Sequence, residues 1–238
     1  MTPITAILIL TLISGLAMPL GACLASVKLF KKSWLENEYR HAVIAFGGGA
    51  LLAAVALVLV PEGIERLDIF KSTLCFVLGG YFFMLIDIYM SKIKTSASLL
   101  LAMLTDFIPE SIALGATYSI NKESALLLAF LVFLQNIPEG FAASDELRKT
   151  SRFSHKKIIT LFILLSLLGP LSGIAGYIWL VHYPEIIAEI MLFAAGGILY
   201  SVFQDIAPQV PMRQRWLPPI GAVFGFMLGI VGYMLTVA

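Results

Sequence analysis

Apolar runs of about 20 residues recur along the whole chain, separated by short polar connectors. Each run is long enough to cross roughly 30 Å of hydrocarbon as a helix. Eight are predicted, at about residues 4–27, 42–61, 72–90, 97–119, 124–146, 158–181, 186–208 and 217–238. The connectors are too short to form a separate soluble domain. The expected fold is therefore all-α: one integral membrane domain over residues 1–238, with eight transmembrane helices.

Composition agrees with the pattern. Hydrophobic residues make up 59% of the chain and charged residues 13%, and the mean hydropathy of +0.93 lies far above that of soluble globular proteins. The first run has no positive charge before it, so it reads as a span rather than a cleavable signal. "LGAC" (20–23) resembles a lipoprotein cleavage box, but the basic cluster follows it instead of preceding it. Cys23 and Cys75 fall singly in predicted spans, which rules out a disulfide framework or a CxxC metal motif and marks them as small core residues.

Net charge is only +1, yet its distribution is lopsided. If the N-terminus lies outside, the inner connectors hold Lys28, Lys31, Lys32, Arg40, Lys92, Lys94, Arg148, Lys149, Arg152, Lys156, Lys157, Arg213 and Arg215. The outer connectors hold Arg66, Lys71 and Lys122. Thirteen against three orients the chain under the positive-inside rule and, with an even number of spans, leaves both termini outside. The basic run "LRKTSRFSHKK" (147–157) then anchors the inner face to anionic lipid, and no nucleic-acid partner is expected.

Two pairs of segments repeat. "FGGGALLAAVALVLVPEG" (46–63) aligns without gaps on "FAAGGILYSVFQDIAPQV" (193–210), placing Phe46 on Phe193, Gly49 on Gly196, Val55 on Val202 and Pro61 on Pro208. "DFIPESIA" (106–113) aligns on "QNIPEGFA" (135–142). Both pairs join spans that run in opposite directions, the second with the seventh and the fourth with the fifth. Together they predict a 3+2+3 inverted repeat, a layout of secondary transporters whose sites lie where the repeats meet.

Chemistry concentrates in the fourth and fifth spans. A charged side chain near the bilayer centre costs about 2.5–3.5 kcal/mol, and Asp106, Glu110 and Glu139 are all placed at such depth. Residues four apart share a helix face, so Asp106 and Glu110 point one way, as do Gln135 and Glu139. Pro109 and Pro138 cannot donate to the carbonyls of Thr105 and Leu134, which loosens a turn beside each carboxylate. No Lys, Arg or His falls inside the eight runs, so a salt-bridged core fails. Protons and a cation remain as compensation, and four converging oxygen-bearing side chains favour a divalent cation. Asn136 either adds an oxygen or bonds a backbone carbonyl. Asp87, Gln204 and Asp205 are candidates for the cation's path, and Glu62 belongs to an acidic lip with Glu65 and Asp68. His41, His155 and His182 lie in connectors. An intramembrane enzyme is not expected, because HExxH and GxSxG are absent and no Cys–His or Ser–His pair lies at depth.

At "DFIPES" and "QNIPEG" the chain resembles the ZIP (Zrt/Irt-like) family of divalent metal transporters. The second-span "PEG" and the seventh-span "FQDIAP" extend the likeness over most of its length. The resemblance implies eight helices, both termini outside, a metal site between the fourth and fifth helices, a homodimer, and metal movement into the cytosol across the plasma or cell inner membrane. The transported substrate would be Zn²⁺, or alternatively Mn²⁺ or Fe²⁺. The departures are specific. Asp106 stands where the family usually has His, Phe107 where Asn follows, and Gln135 at a position that is often His. "LLGPLSG" (167–173), with Pro170, lacks the glutamate that can hold a second metal. "SKIKTSA" (91–97) replaces a His-rich loop. The family's two-metal centre is thus expected to shrink to one site made of Asp106, Glu110, Gln135 and Glu139, with Asn136 beside it. The alternative is a metal-binding sensor or a non-transporting relative.

The charge asymmetry is directly testable. A cysteine introduced by Ser151→Cys should resist a membrane-impermeant thiol reagent on intact cells and react once the cells are permeabilised. Ready labelling of intact cells would invert the orientation.

Overall fold

The computed structural model describes residues 2–27, 32–93, 98–151, 153–210 and 216–237. Of the basic connector residues, Lys28, Lys31, Lys94, Arg152, Arg213 and Arg215 lie outside the described residues, as do residues 94–97 of the segment after the third span. Helices form everywhere a span is predicted, and no strand occurs among the described residues.

The first helix, α1 (Pro3–Ser26), starts with proline in its first turn, where no amide partner is lost, and Thr2 caps it by accepting from the Thr5 amide. Next, α2 (Ser33–Ala54) runs through a π-helical turn at Val55–Leu59 into Val60–Ile64. It is followed by α3 (Ile69–Ile93), α4 (Ser98–Thr117) and α5 (Lys122–Thr150). α6 is broken at Leu167 into His155–Ser166 and Leu168–Leu180. α7 (Pro184–Ser201) continues into a second π-helical turn at Val202–Ile206, and α8 is Leu217–Val237.

Among the described residues seven helices are long and apolar enough to cross a membrane. α4 carries Asp106 and Glu110. Its place in the bundle is set by packing, between α5 and α6 with α7 alongside. α3 and α8 expose most of their apolar side chains, with Ile69, Phe70 and Leu235 more than two-thirds accessible. Such faces suit hydrocarbon. Cys23 also faces outward on α1, so it is not the core residue its position suggested.

Extensive pairings include α2 with α8, α1 with α5, α3 with α7, and α4 with α6. Glycines set the distance in all four, with Gly21 and Gly140 between α1 and α5 and Gly115 and Gly176 between α4 and α6. A Cβ at Gly49 would lie 1.9 Å from the Ala222 carbonyl oxygen, and one at Gly225 would lie 2.0 Å from that of Phe46. In the α3–α7 pair, a Cβ at Gly196 would meet the Phe76 carbonyl at 1.9 Å, and one at Gly79 the Phe193 carbonyl at 1.9 Å. Backbones in lipid approach closely where small residues line the contact.

The two π turns have the same local cause. Pro61 and Pro208 have no amide hydrogen to return to Leu57 and Gln204, and their rings crowd those carbonyls. Widening the turn relieves both problems: the Val60 amide reaches back five residues to Val55, and the Ala207 amide to Val202.

Overpacking these contacts should cost about 1–3 kcal/mol per site. Gly49→Ala and Gly196→Ala are each expected to lower the melting temperature in detergent. Gly80→Ala should be tolerated, since the nearest atom to its added Cβ is 3.5 Å away. Equal stability of all three variants would remove the close-contact account.

Candidate metal centre

One helical turn separates Asp106 from Glu110 on α4, and one turn separates Gln135 from Glu139 on α5. Both helices continue past their prolines. Glu110, Gln135 and Asn136 are fully buried, and Asp106 is 6% exposed. The Gln135 amide Nε2 donates to Glu110 Oε1 at 2.5 Å, joining the two helices at the deepest carboxylate. Asn136 Nδ2 donates to the Ser14 carbonyl of α1 at 2.9 Å.

These bonds satisfy the nitrogens and leave the oxygens. Among the described residues nine buried side-chain N or O atoms lack a hydrogen-bond partner, and six of them belong to this cluster: Asp106 Oδ1, Glu110 Oε2, Gln135 Oε1, Asn136 Oδ1 and both carboxylate oxygens of Glu139. Buried polar atoms are normally paired, so this concentration of orphaned acceptors is where protons, water or a cation would be taken up. Asp106, Glu110 and Glu139 are close enough to interact electrostatically, and Asp205 reaches Asp106 in the same way. They do not close into a ready-made shell: among the described residues no group of three His, Cys, Asp or Glu side chains stands at metal-holding spacing. The amide oxygens of Gln135 and Asn136 are the additional donors available.

Asp106 and Glu139 open onto a cavity of about 60 Å³. This is several times the ~10–15 Å³ that one water needs. Its wall is built by Ile44, Gly47 and Leu51 of α2, Met103 of α4, Pro138 and Ala142 of α5, and Ser201, Asp205 and Ile206 of α7. Gly47 lets α2 sit against the ring of Pro138, where a Cβ would come within 2.5 Å. Past Ile44 and Ala142, which line both spaces, a larger cavity of about 300 Å³ continues among Arg40, His41, Asp145, Glu146 and Lys149. It leads to the end of the bundle that carries the basic connectors. Arg40 bridges Glu36 at 3.1 Å and Asp145 at 3.3 Å there.

The remaining candidates separate. Asp205 lines the cavity. Asp87 accepts from the Tyr200 hydroxyl at 3.0 Å, linking α3 to α7. Gln204 faces a separate open groove with Tyr200 and Phe203. Glu62 lies at the opposite end of the bundle, accepting from Asn121 and Ser124. Phe107 is fully buried and its ring abuts Gly15 of α1 and Gly169 of α6. Met103 and Ser201 line the cavity without having been singled out from sequence. The spacing of Met103, three residues before Asp106, was the available signal; a lone serine among apolar residues of α7 offered none.

The model of the ZIP zinc transporter family matches residues 95–238, more than half of the chain. The chain belongs to the ZIP family. No curated protein matches it. As a ZIP protein it is a multi-pass membrane transporter of divalent metal and not an enzyme. The matched region contains α4, α5 and α7, which supply every acidic group of the cavity.

Proposed function

We propose that this ZIP protein moves divalent metal into the cytosol through a single intramembrane site formed by Asp106, Glu110, Gln135 and Glu139, with Asn136 at its edge. The observation that carries the reading is the set of six orphaned oxygens on these five residues. Among the described residues no Lys, Arg or His side chain lines the cavity on which Asp106 and Glu139 open. A dication supplies the missing positive charge, and the amide of Gln135 holds Glu110 in place to receive it. Asp205 is the next carboxylate along the cavity wall, and the chamber past Ala142 is the route onward toward the basic end.

An inverted repeat of three, two and three helices supports an alternating-access carrier, with both termini on the outer side. Exchange of α1 with α6, α2 with α7, α3 with α8 and α4 with α5 turns each of the main helix pairs into another main pair. The two π turns begin at Val55 and Val202, which the sequence repeat places in register, and the same register puts Gly49 on Gly196 and Phe46 on Phe193. On the α6 side, the buried ring of Phe107 occupies the space against Gly169, which fits one metal in place of two.

The donor set speaks to selectivity. Carboxylate and amide oxygens suit harder ions such as Mn²⁺, whereas imidazole favours Zn²⁺. Zn²⁺ still leads by the Irving–Williams order, so the oxygen-rich site narrows the gap with Mn²⁺ and Fe²⁺ without reversing it.

Two experiments test the proposal. Glu110→Ala and Glu139→Ala should each abolish metal uptake in proteoliposomes while the proteins keep wild-type elution from size exclusion; wild-type rates in either variant would remove the central claim. A protein that binds metal and shows no flux would be a sensor. In a competition assay, Asp106→His should raise the Zn²⁺ to Mn²⁺ uptake ratio several-fold, up to about tenfold if one imidazole contributes about 1.4 kcal/mol of discrimination. An unchanged ratio would take Asp106 out of the metal's coordination shell.

A further inference from the structure

The two ends of the bundle differ. Toward the basic connectors, the carboxylate cavity continues into a chamber between α2 and α5. At the other end the same two helices are tied together. Glu62, at the end of α2 beyond its π turn, accepts a hydrogen bond from Asn121 Nδ2 at 2.9 Å and a short one from the Ser124 hydroxyl. Asn121 is also the N-cap of α5, its Oδ1 accepting from the Ser124 amide at 3.1 Å. One side chain therefore starts α5 with its oxygen and holds α2 with its nitrogen. Just beneath lies a residual space of about 10 Å³ lined by Glu62, Arg66, Thr117, Ile120 and Met191. Thr117 and Met191 are each 2% exposed. Gly63 is pressed against Leu192 of α7, where a Cβ would fall within 2.5 Å.

We infer that Glu62, Asn121 and Ser124 form the latch of the outer gate: their hydrogen bonds hold α2 against the start of α5, and they must part before metal can reach Glu110 and Glu139 from that side. The inference rests on the transporter reading above. The physical basis is that both bonds end on a carboxylate, which makes them the stronger kind of hydrogen bond. They are also side-chain bonds at a helix start, so they can break without unwinding α5.

The test uses the full-length protein lacking Cys23 and Cys75, with Thr117→Cys as a reporter thiol beneath the latch. A membrane-impermeant thiol reagent is applied on the Glu62 side. Asn121→Asp keeps the capping oxygen but replaces the donor with a negative charge facing Glu62. It should speed labelling about tenfold, the factor corresponding to about 1.4 kcal/mol. Ser124→Ala and Glu62→Gln, which keeps an acceptor oxygen but loses the charge, should each speed it less. Wild-type labelling with Asn121→Asp would overturn the latch. So would an equal rise at Ala142→Cys, probed from the basic end, because that would signify general loosening. Metal flux in the parent protein separates the two readings: absent flux with faster Thr117→Cys labelling sinks transport and keeps the latch, whereas normal flux with unchanged labelling sinks the latch alone.

Discussion

Buried carboxylates that have no basic partner among the described residues are the constraint around which this bundle is arranged. Glu110 is sealed from solvent, and the nearest group that offers it a proton donor is the neutral amide of Gln135. Burying such groups is costly unless a positive charge joins them. The structure concentrates the cost in one place, where α4 and α5 meet, and leaves most of the remaining interior apolar. Asp205 extends the acidic wall and Asp87, bonded to Tyr200, stands behind α7. The proposed metal site depends on this lack of a basic partner, because a cluster already neutralised by Lys or Arg would have little affinity left for metal.

Prolines and glycines make that site reachable. Pro109 and Pro138 each remove one helix hydrogen bond beside a carboxylate, and Gly47 lets the α2 backbone lie against the ring of Pro138. Farther along, Pro61 and Pro208 widen α2 and α7 into π turns. The second of these turns carries Asp205, aimed at the cavity. A regular α-helix through Val202–Ile206 would direct its side chains differently, because a π turn adds a residue to the turn and shifts the face that follows.

Some expectations changed when the helices were packed. The fourth span is held by neighbours on both sides. The sixth is two helices joined at Leu167, a break placed just before Gly169 and Pro170. Asn136 takes the backbone alternative, bonding the Ser14 carbonyl through its nitrogen, while its Oδ1 has no hydrogen-bond partner. Gln204 and Asp205 are adjacent in sequence, yet only Asp205 reaches the cavity.

Hydrophobicity and spacing alone determined the helical membrane class and the pairing of Asp106 with Glu110 and of Gln135 with Glu139. These depend on local physics: apolar length against hydrocarbon thickness, and the 3.6-residue period that puts positions four apart on one face. The motifs "IPES" and "IPEG" also marked the family, which the match over residues 95–238 bears out. Tertiary structure decided which oxygens remain without partners, that Met103 and Ser201 share the cavity, and that Glu62 is tied to Asn121 and Ser124 across 59 and 62 residues of chain. None of these could be read from periodicity, because each depends on the rotation and depth of one helix relative to another. Those are fixed by glycine-to-carbonyl contacts between segments far apart in the chain.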